Sequence, residues 1–178
     1  DIASALIIMK LAAFGPMKEN VSKQFAIFKD KHTWSLTALY IVTFGSFIGY
    51  SAAFPTLLKV VFERPDIALT YGFLGALVGS LSRPLGGRLS DRLGGSVVTI
   101  VSFVAMAVAG VIAVVGVQQK SLPIFFASFM ALFVATGVGN GSTYRMIPAI
   151  FTRLAARDGG EDSALEYRRR AAGAVGII

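Results

Sequence analysis

The sequence has no cysteine and a single histidine, His32. A disulfide framework and a thiolate metal site are thereby excluded, and one imidazole without partners supports neither a metal centre nor a nucleophilic triad. Charge is scarce as well: 15% of the 178 residues are charged, and only 10 are acidic against 17 Lys and Arg. The basic residues stand in short stretches between long apolar runs, without the interleaved aromatics of a nucleic-acid-binding stripe, so nucleic acid is not an expected partner. No metal or other cofactor is implied. Asp1 opens the chain with neither the basic n-region nor the small-residue cleavage pattern of a secretory signal, and the chain reads as starting within a longer protein.

What the sequence has in quantity is apolar length. Hydrophobic residues make up 54% of it, with 14 Phe and 19 Gly. A bilayer core of about 30 Å is crossed by roughly 20 apolar residues in a helix. Four segments meet that length, at residues 34–62, 67–85, 96–117 and 122–151. Short polar joints separate them, ERPD at 63–66, GRLSDRLGG at 87–95 and VQQKS at 117–121, so successive helices are expected to be antiparallel neighbours. A longer polar loop follows at 153–170. The closing run AAGAVGII at 171–178 restarts an apolar segment, and its eight residues reach only about 12 Å as helix. The expectation is a chain cut at both ends, all-α, forming a polytopic transmembrane bundle. The apolar stretch 2–15 is short and broken by Lys10, which fits an interfacial or loop helix better than a further span.

The lysines and arginines fix an orientation. With the spans alternating, one side receives 13 of them, in the stretch before Trp34, in the GRLSDRLGG joint, and from Arg145 through Arg170. The other side receives 3, Lys59, Arg64 and Lys120. The positive-inside rule therefore places the N-terminal stretch, the 87–95 loop and the 153–170 loop in the cytoplasm, in a protein of the cell's inner membrane.

Arg83 is the charge that this count leaves over. The apolar run before it, residues 67–82, has 16 residues, or about 24 Å of helix, which spans the hydrocarbon only if the helix continues through the arginine. An arginine near the cytoplasmic edge can snorkel to the headgroups. A buried one faces a partner or an aqueous cavity. Gly75 and Gly79 lie one and two turns back on the same face and leave room for a ligand, and no Asp or Glu stands in any span to neutralise the charge. A guanidinium in that setting is a receptor for a small anion, because its planar fork matches a planar oxyanion bidentately. Nitrate, nitrite and small carboxylates have that shape.

Other patterns carry less chemistry. Tyr40, Phe44, Phe47 and Ser51 recur at spacings of four, three and four and share one helix face, for which helix packing is the default role. Three glycine pairs, Gly45 with Gly49, Gly75 with Gly79 and Gly137 with Gly141, are expected to allow close helix contact. The run GVGNGSTYRMIP at 137–148 follows an apolar helix, not a strand, and lacks the lysine of a phosphate-cradling loop. Its Asn140, Ser142 and Thr143 are expected to face a bundle interior.

These residues carry a family resemblance. GRLSDRLGG resembles the cytoplasmic loop motif that the major facilitator superfamily repeats in each half, with Gly87, Asp91, Arg92 and Gly94 at its core. LYIVTFGSFIGYSAAF at 39–54, GSLSRPLGGRLSDRLGG at 79–95 and GVGNGSTYRMIPAIF at 137–151 together resemble the seventh, eighth and tenth helices of bacterial nitrate/nitrite porters of that superfamily. The resemblance covers residues 34–178 and implies a C-terminal transmembrane half comprising helices seven to ten and the start of eleven, with 1–33 as the cytoplasmic loop between halves. It implies that Arg83 is the substrate arginine of this half, that Tyr40 and Phe44 pack around the anion, and that Asn140 lies near the pore. The implied partners are nitrate and nitrite, the lipid bilayer and an N-terminal half that completes the site. The implied function is secondary active transport by alternating access, with no enzymatic step. A facilitator carrier for another small anion and a membrane scaffold subunit without a transported ligand are the alternatives.

Overall fold

The computed structural model describes residues 31–158. Most of the expected inter-half loop, the later part of the 153–170 loop and the apolar restart at 171–178 lie outside the described residues. Within them the chain forms four helices, α1 (Lys31–Val60), α2 (Pro65–Leu93), α3 (Gly95–Gln118) and α4 (Leu122–Asp158), and no strand. Their 30, 29, 24 and 37 residues correspond to roughly 35 to 55 Å each, enough to cross a bilayer. By length and composition together, α1, α3 and α4 qualify as membrane spans. The second of the four expected spans falls short on composition, because α2 carries Arg83, Arg88, Asp91 and Arg92 and is rich in glycine and serine.

The joints are tighter than the sequence indicates. Pro65 opens α2, where its missing N–H has no helical partner to lose. Just before it, Arg64 donates to Asp66 at 2.9 and 3.0 Å, and this hydrogen bond holds the Asp66 carboxyl below the usual carboxylate range. The larger departure concerns GRLSDRLGG, expected as a loop. The α2 helix runs on through Pro84 and through Gly87, Asp91 and Arg92 to Leu93, leaving only Gly94 outside a helix. Gly94 has φ 89°, a conformation open to glycine and costly for other residues, and it alone reverses the chain into α3. Gly87 does not stop the helix, since a glycine ends one only where the backbone adopts that left-handed turn.

Helix α4 is the centre of the bundle and packs against the other three. Three layers follow along it. Where α1 ends and α4 begins, Phe54, Leu58, Phe125, Phe129, Leu132 and Phe133 form an apolar cluster, and the rings of Phe54 and Phe125 stack at 5.9 Å. At the opposite end Leu36, Met146, Ile147 and Phe151 form a smaller one. Between them lies a buried polar layer of Thr43, Ser82, Thr99, Ser102, Thr136, Asn140, Ser142 and Thr143.

The outer faces are apolar. From Leu69 through Phe73 and Leu77 to Leu93, large hydrophobic side chains recur every fourth residue along α2, all exposed, and α3 exposes Val97, Ile100, Val101, Val104, Val108 and Val111. Surfaces of this kind are unfavourable in water and natural in hydrocarbon. Lipid tails give apolar helices no hydrophobic reason to associate, so the bundle depends on close backbone approach and hydrogen bonds. Both occur between α4 and its neighbours. A Cβ on Gly137 would collide with the Gly79 carbonyl oxygen, one on Gly141 with that of Arg83, and one on Gly86 with that of Val138. Ser142 donates to the Gly95 carbonyl at 2.9 Å, and its oxygen lies 3.2 Å from the Thr99 hydroxyl. The expected pairing of Gly45 with Gly49 has no such role among the described residues, since both face open space.

Candidate functional site

Arg83 is anchored by its own backbone. Its carbonyl lies against Gly141, with no side chain between α2 and α4 at that point. The half-buried side chain crosses towards α1, where the guanidinium carbon stands 5.3 Å from the centre of the Phe44 ring and 5.0 Å from that of Phe47. The two rings are nearly parallel, 12° apart with centres separated by 6.3 Å. Tyr40 continues the row, stacked on Phe44 at 5.2 Å and edge-on to Tyr144 of α4 at 5.2 Å. The helical spacing of four and three residues puts the three α1 rings in line, and the guanidinium lies against two of them as a cation against aromatic faces.

The polar layer divides by how its groups are satisfied. Thr43, Ser82, Ser102, Thr136 and Thr143 donate to carbonyls of their own helices, at 2.7 to 3.0 Å. Ser142 bridges to α3. Ser51, on the aromatic face of α1, donates to Phe47 at 2.8 Å. Among the described residues two buried side-chain atoms lack a hydrogen-bond partner, the Arg83 Nε and the Asn140 Nδ2. Asn140 is 2% exposed. Both atoms are donors, and leaving a buried donor unsatisfied costs about 1 to 3 kcal/mol, more when it is charged. Asn140 directly precedes Gly141, which meets the Arg83 backbone, and Tyr144 one turn further along α4 meets the Tyr40 ring, so the four residues Arg83, Tyr40, Phe44 and Asn140 converge on one region. Of the three polar residues expected to face the bundle interior, Ser142 and Thr143 spend their hydroxyls on backbone carbonyls, and Asn140 keeps a free donor.

Among the described residues no carboxylate enters this region. The acidic residue next along α2 is Asp91, two turns beyond Arg83, and it pairs with Arg145 of α4 at 2.6 Å. That pairing concerns the motif residues. Asp91 reaches across to Arg145 instead of to the motif's own arginines, while Arg92 stands exposed on the last turn of α2, and Gly87 faces open space. An exposed pair of this kind adds little to stability, but it ties the α2–α3 reversal to α4. Phe47, Tyr144 and Arg145 are the residues that sequence reasoning did not assign to either region. The spacing of the α1 aromatics carried a signal for Phe47. Nothing local signals an ion pair between residues 54 positions apart.

The arrangement offers one fixed positive charge, aromatic walls and unpaired N–H donors in a low-dielectric layer. It can bind a small anion with hydrogen-bond acceptors. Among the described residues it holds no paired acid and base, no activated nucleophile and no cluster of metal-ligating side chains.

The Major Facilitator Superfamily description matches residues 9–178. The chain is 46% identical over 142 residues to the probable nitrate/nitrite antiporter NarK2 of Thermus thermophilus, an alignment covering 76% of this chain and 32% of that protein. It is 40% identical over 143 residues to the nitrate/nitrite transporter NarU of Salmonella typhimurium, covering 79% and 31%. It is 36% identical over 158 residues to the NarU of Escherichia coli, covering 84% and 34%. The chain spans about a third of the length of these curated relatives.

Proposed function

Because this chain belongs to the Major Facilitator Superfamily, we propose that it forms part of the second half of a secondary transporter that binds nitrate and nitrite and carries them across the membrane by alternating access. It is a multi-pass membrane protein. One observation carries the substrate reading: among the described residues, the two buried side-chain atoms without a partner are both N–H donors, on Arg83 and Asn140, in a layer to which no described carboxylate contributes. Such donors call for an acceptor, and the uncompensated guanidinium calls for a negative one. The edge of an arginine that includes Nε, with a neighbouring Nη, is a planar pair of donors matched to two oxygens of a planar oxyanion. Tyr40 and Phe44 wall the site, and the names of the relatives add nitrate and nitrite as the anions.

In this reading α1 to α4 are helices seven to ten of the carrier. Residues 34–178 belong to its second half, and 1–33 form the cytoplasmic connection from the first. The first half supplies the opposite wall of the site, and transport is binding and release with no covalent change. The test is nitrate uptake, or nitrate/nitrite exchange, by the purified full-length protein in liposomes. Nitrite is expected to compete strongly and formate and acetate weakly; carboxylates competing as well as nitrite would remove nitrate as the substrate.

The charge count orients the bundle in the inner membrane with the α2–α3 turn in the cytoplasm. A cysteine at Arg92, exposed on the last turn of α2, is expected to label from the cytoplasmic side and one at Gln119 from the outside. Labelling of both from one face would refute that orientation.

A further inference from the structure

Phe47 touches three things at once. Its ring centre is 5.0 Å from the Arg83 guanidinium carbon, nearer than that of Phe44. It stands edge-on to Phe133 of α4, at 5.9 Å and 83°. It also sits directly over Gly79 of α2, where an added Cβ would come within 2.6 Å of the Phe47 Cε2. Phe133 sits in the same way over Gly75. Bare backbone on α2 therefore receives two interlocked rings, one from α1 and one from α4. The plane of Phe47 is set by two helices other than its own, and the guanidinium lies against that plane.

We propose that Phe47, seated over Gly79, is a positioning residue that orients the Arg83 guanidinium for planar oxyanions, an inference that rests on Arg83 being the anion-binding residue. An arginine side chain turns about several single bonds and, unrestrained, presents its fork in many directions. A flat aromatic face against it restricts those directions at little entropic cost to the site. The restriction matters differently for different anions. A planar oxyanion gains its second hydrogen bond only when the donor plane is aligned with its own. A spherical halide has no plane and accepts a donor from any direction. Loss of Phe47 is therefore expected to appear as loss of discrimination more than as loss of charge attraction.

The experiment measures nitrate and bromide binding to the purified full-length protein by calorimetry. The variants are Phe47→Leu, Phe47→Tyr and Gly79→Ala, each checked for folding by its melting temperature. Phe47→Leu keeps apolar bulk and removes the aromatic face, and nitrate is expected to bind roughly three- to tenfold more weakly, with bromide changed much less. Phe47→Tyr keeps the face and is expected to retain the wild-type ratio of nitrate to bromide affinity. Gly79→Ala displaces the ring while leaving Phe47 in place, and is expected to lower the ratio as the leucine variant does. A folded Phe47→Leu protein with the wild-type ratio overturns the proposal, as does an equal weakening of both anions, which would mark Phe47 as mere packing. A wild-type protein that binds no nitrate overturns the functional reading and this proposal with it, whereas a nitrate-binding wild type with an unresponsive ratio overturns this proposal alone.

Discussion

Replacing Arg83 with lysine is expected to weaken nitrate binding by the full-length protein about tenfold or more, although the positive charge is kept. The reason is geometric. An ammonium is a compact, strongly hydrated point charge with no planar fork, so it cannot offer a planar anion two parallel hydrogen bonds. Each charge-assisted bond is worth about 1.5 to 3 kcal/mol, and losing one well-formed bond accounts for the tenfold change. The aromatic contact does not explain the expected loss, because an ammonium against Phe44 and Phe47 also makes a cation–π interaction. Nitrate affinity of purified, folded protein is the measurement. A lysine variant that binds as tightly as the wild type would make Arg83 a structural residue that snorkels to the headgroups.

Gly137→Val is expected to disrupt the bundle itself. A Cβ at Gly137 meets the Gly79 carbonyl oxygen and the Cβ of Ser82, and the neighbouring approaches at Gly141 and Gly86 are also backbone against backbone. No flexible side-chain end is available to move aside, so α2 and α4 must separate along the seam that holds Arg83. Overpacking a tight core commonly costs about 1 to 3 kcal/mol, and a rigid seam with three such contacts belongs at or above the top of that range. The expected result is a clear fall in melting temperature in detergent, together with loss of nitrate binding as Arg83 shifts. Gly110→Ala is the control, since Gly110 has open space around it and the change should be nearly neutral. Equal melting temperatures for the two variants would show that the close seam is not what holds α2 to α4.

Much of this was legible from residue order. Water and hydrocarbon sort side chains by composition alone, so runs of 20 or more apolar residues declare helices wherever they lie. Short polar joints make neighbours antiparallel. Arg83 stood out for the same reason: a charge inside an apolar run is costly, and the cost is visible without coordinates. Helix periodicity likewise aligned Tyr40, Phe44 and Phe47. The end of α2 was not legible, because Gly87 and Gly94 are the same residue to a sequence reader. Only the chain's path decides which adopts φ 89° and which continues the helix. Nor could residue order tell Gly45 and Gly49, which face open space, from Gly137 and Gly141, which meet the backbone of α2.

The sequence by itself determined an all-α membrane bundle and one arginine set within an apolar run, since each follows from local composition measured against the thickness and dielectric of a bilayer. Only the tertiary structure decided which polar groups are left over. Asn140, Ser142 and Thr143 are near neighbours on one helix and equally polar. Whether such a group keeps to its own helix, reaches another or stays unpaired depends on what α2 and α3 bring within about 3 Å of it, a distance set by packing. Thr143 bonds within α4 and Ser142 bonds to α3, while the Asn140 Nδ2 and the Arg83 Nε remain without partners. The pairing of Asp91 with Arg145 and the seat of Phe47 over Gly79 are decided in the same way, because each joins residues on different helices whose separation along the chain carries no signal of their meeting.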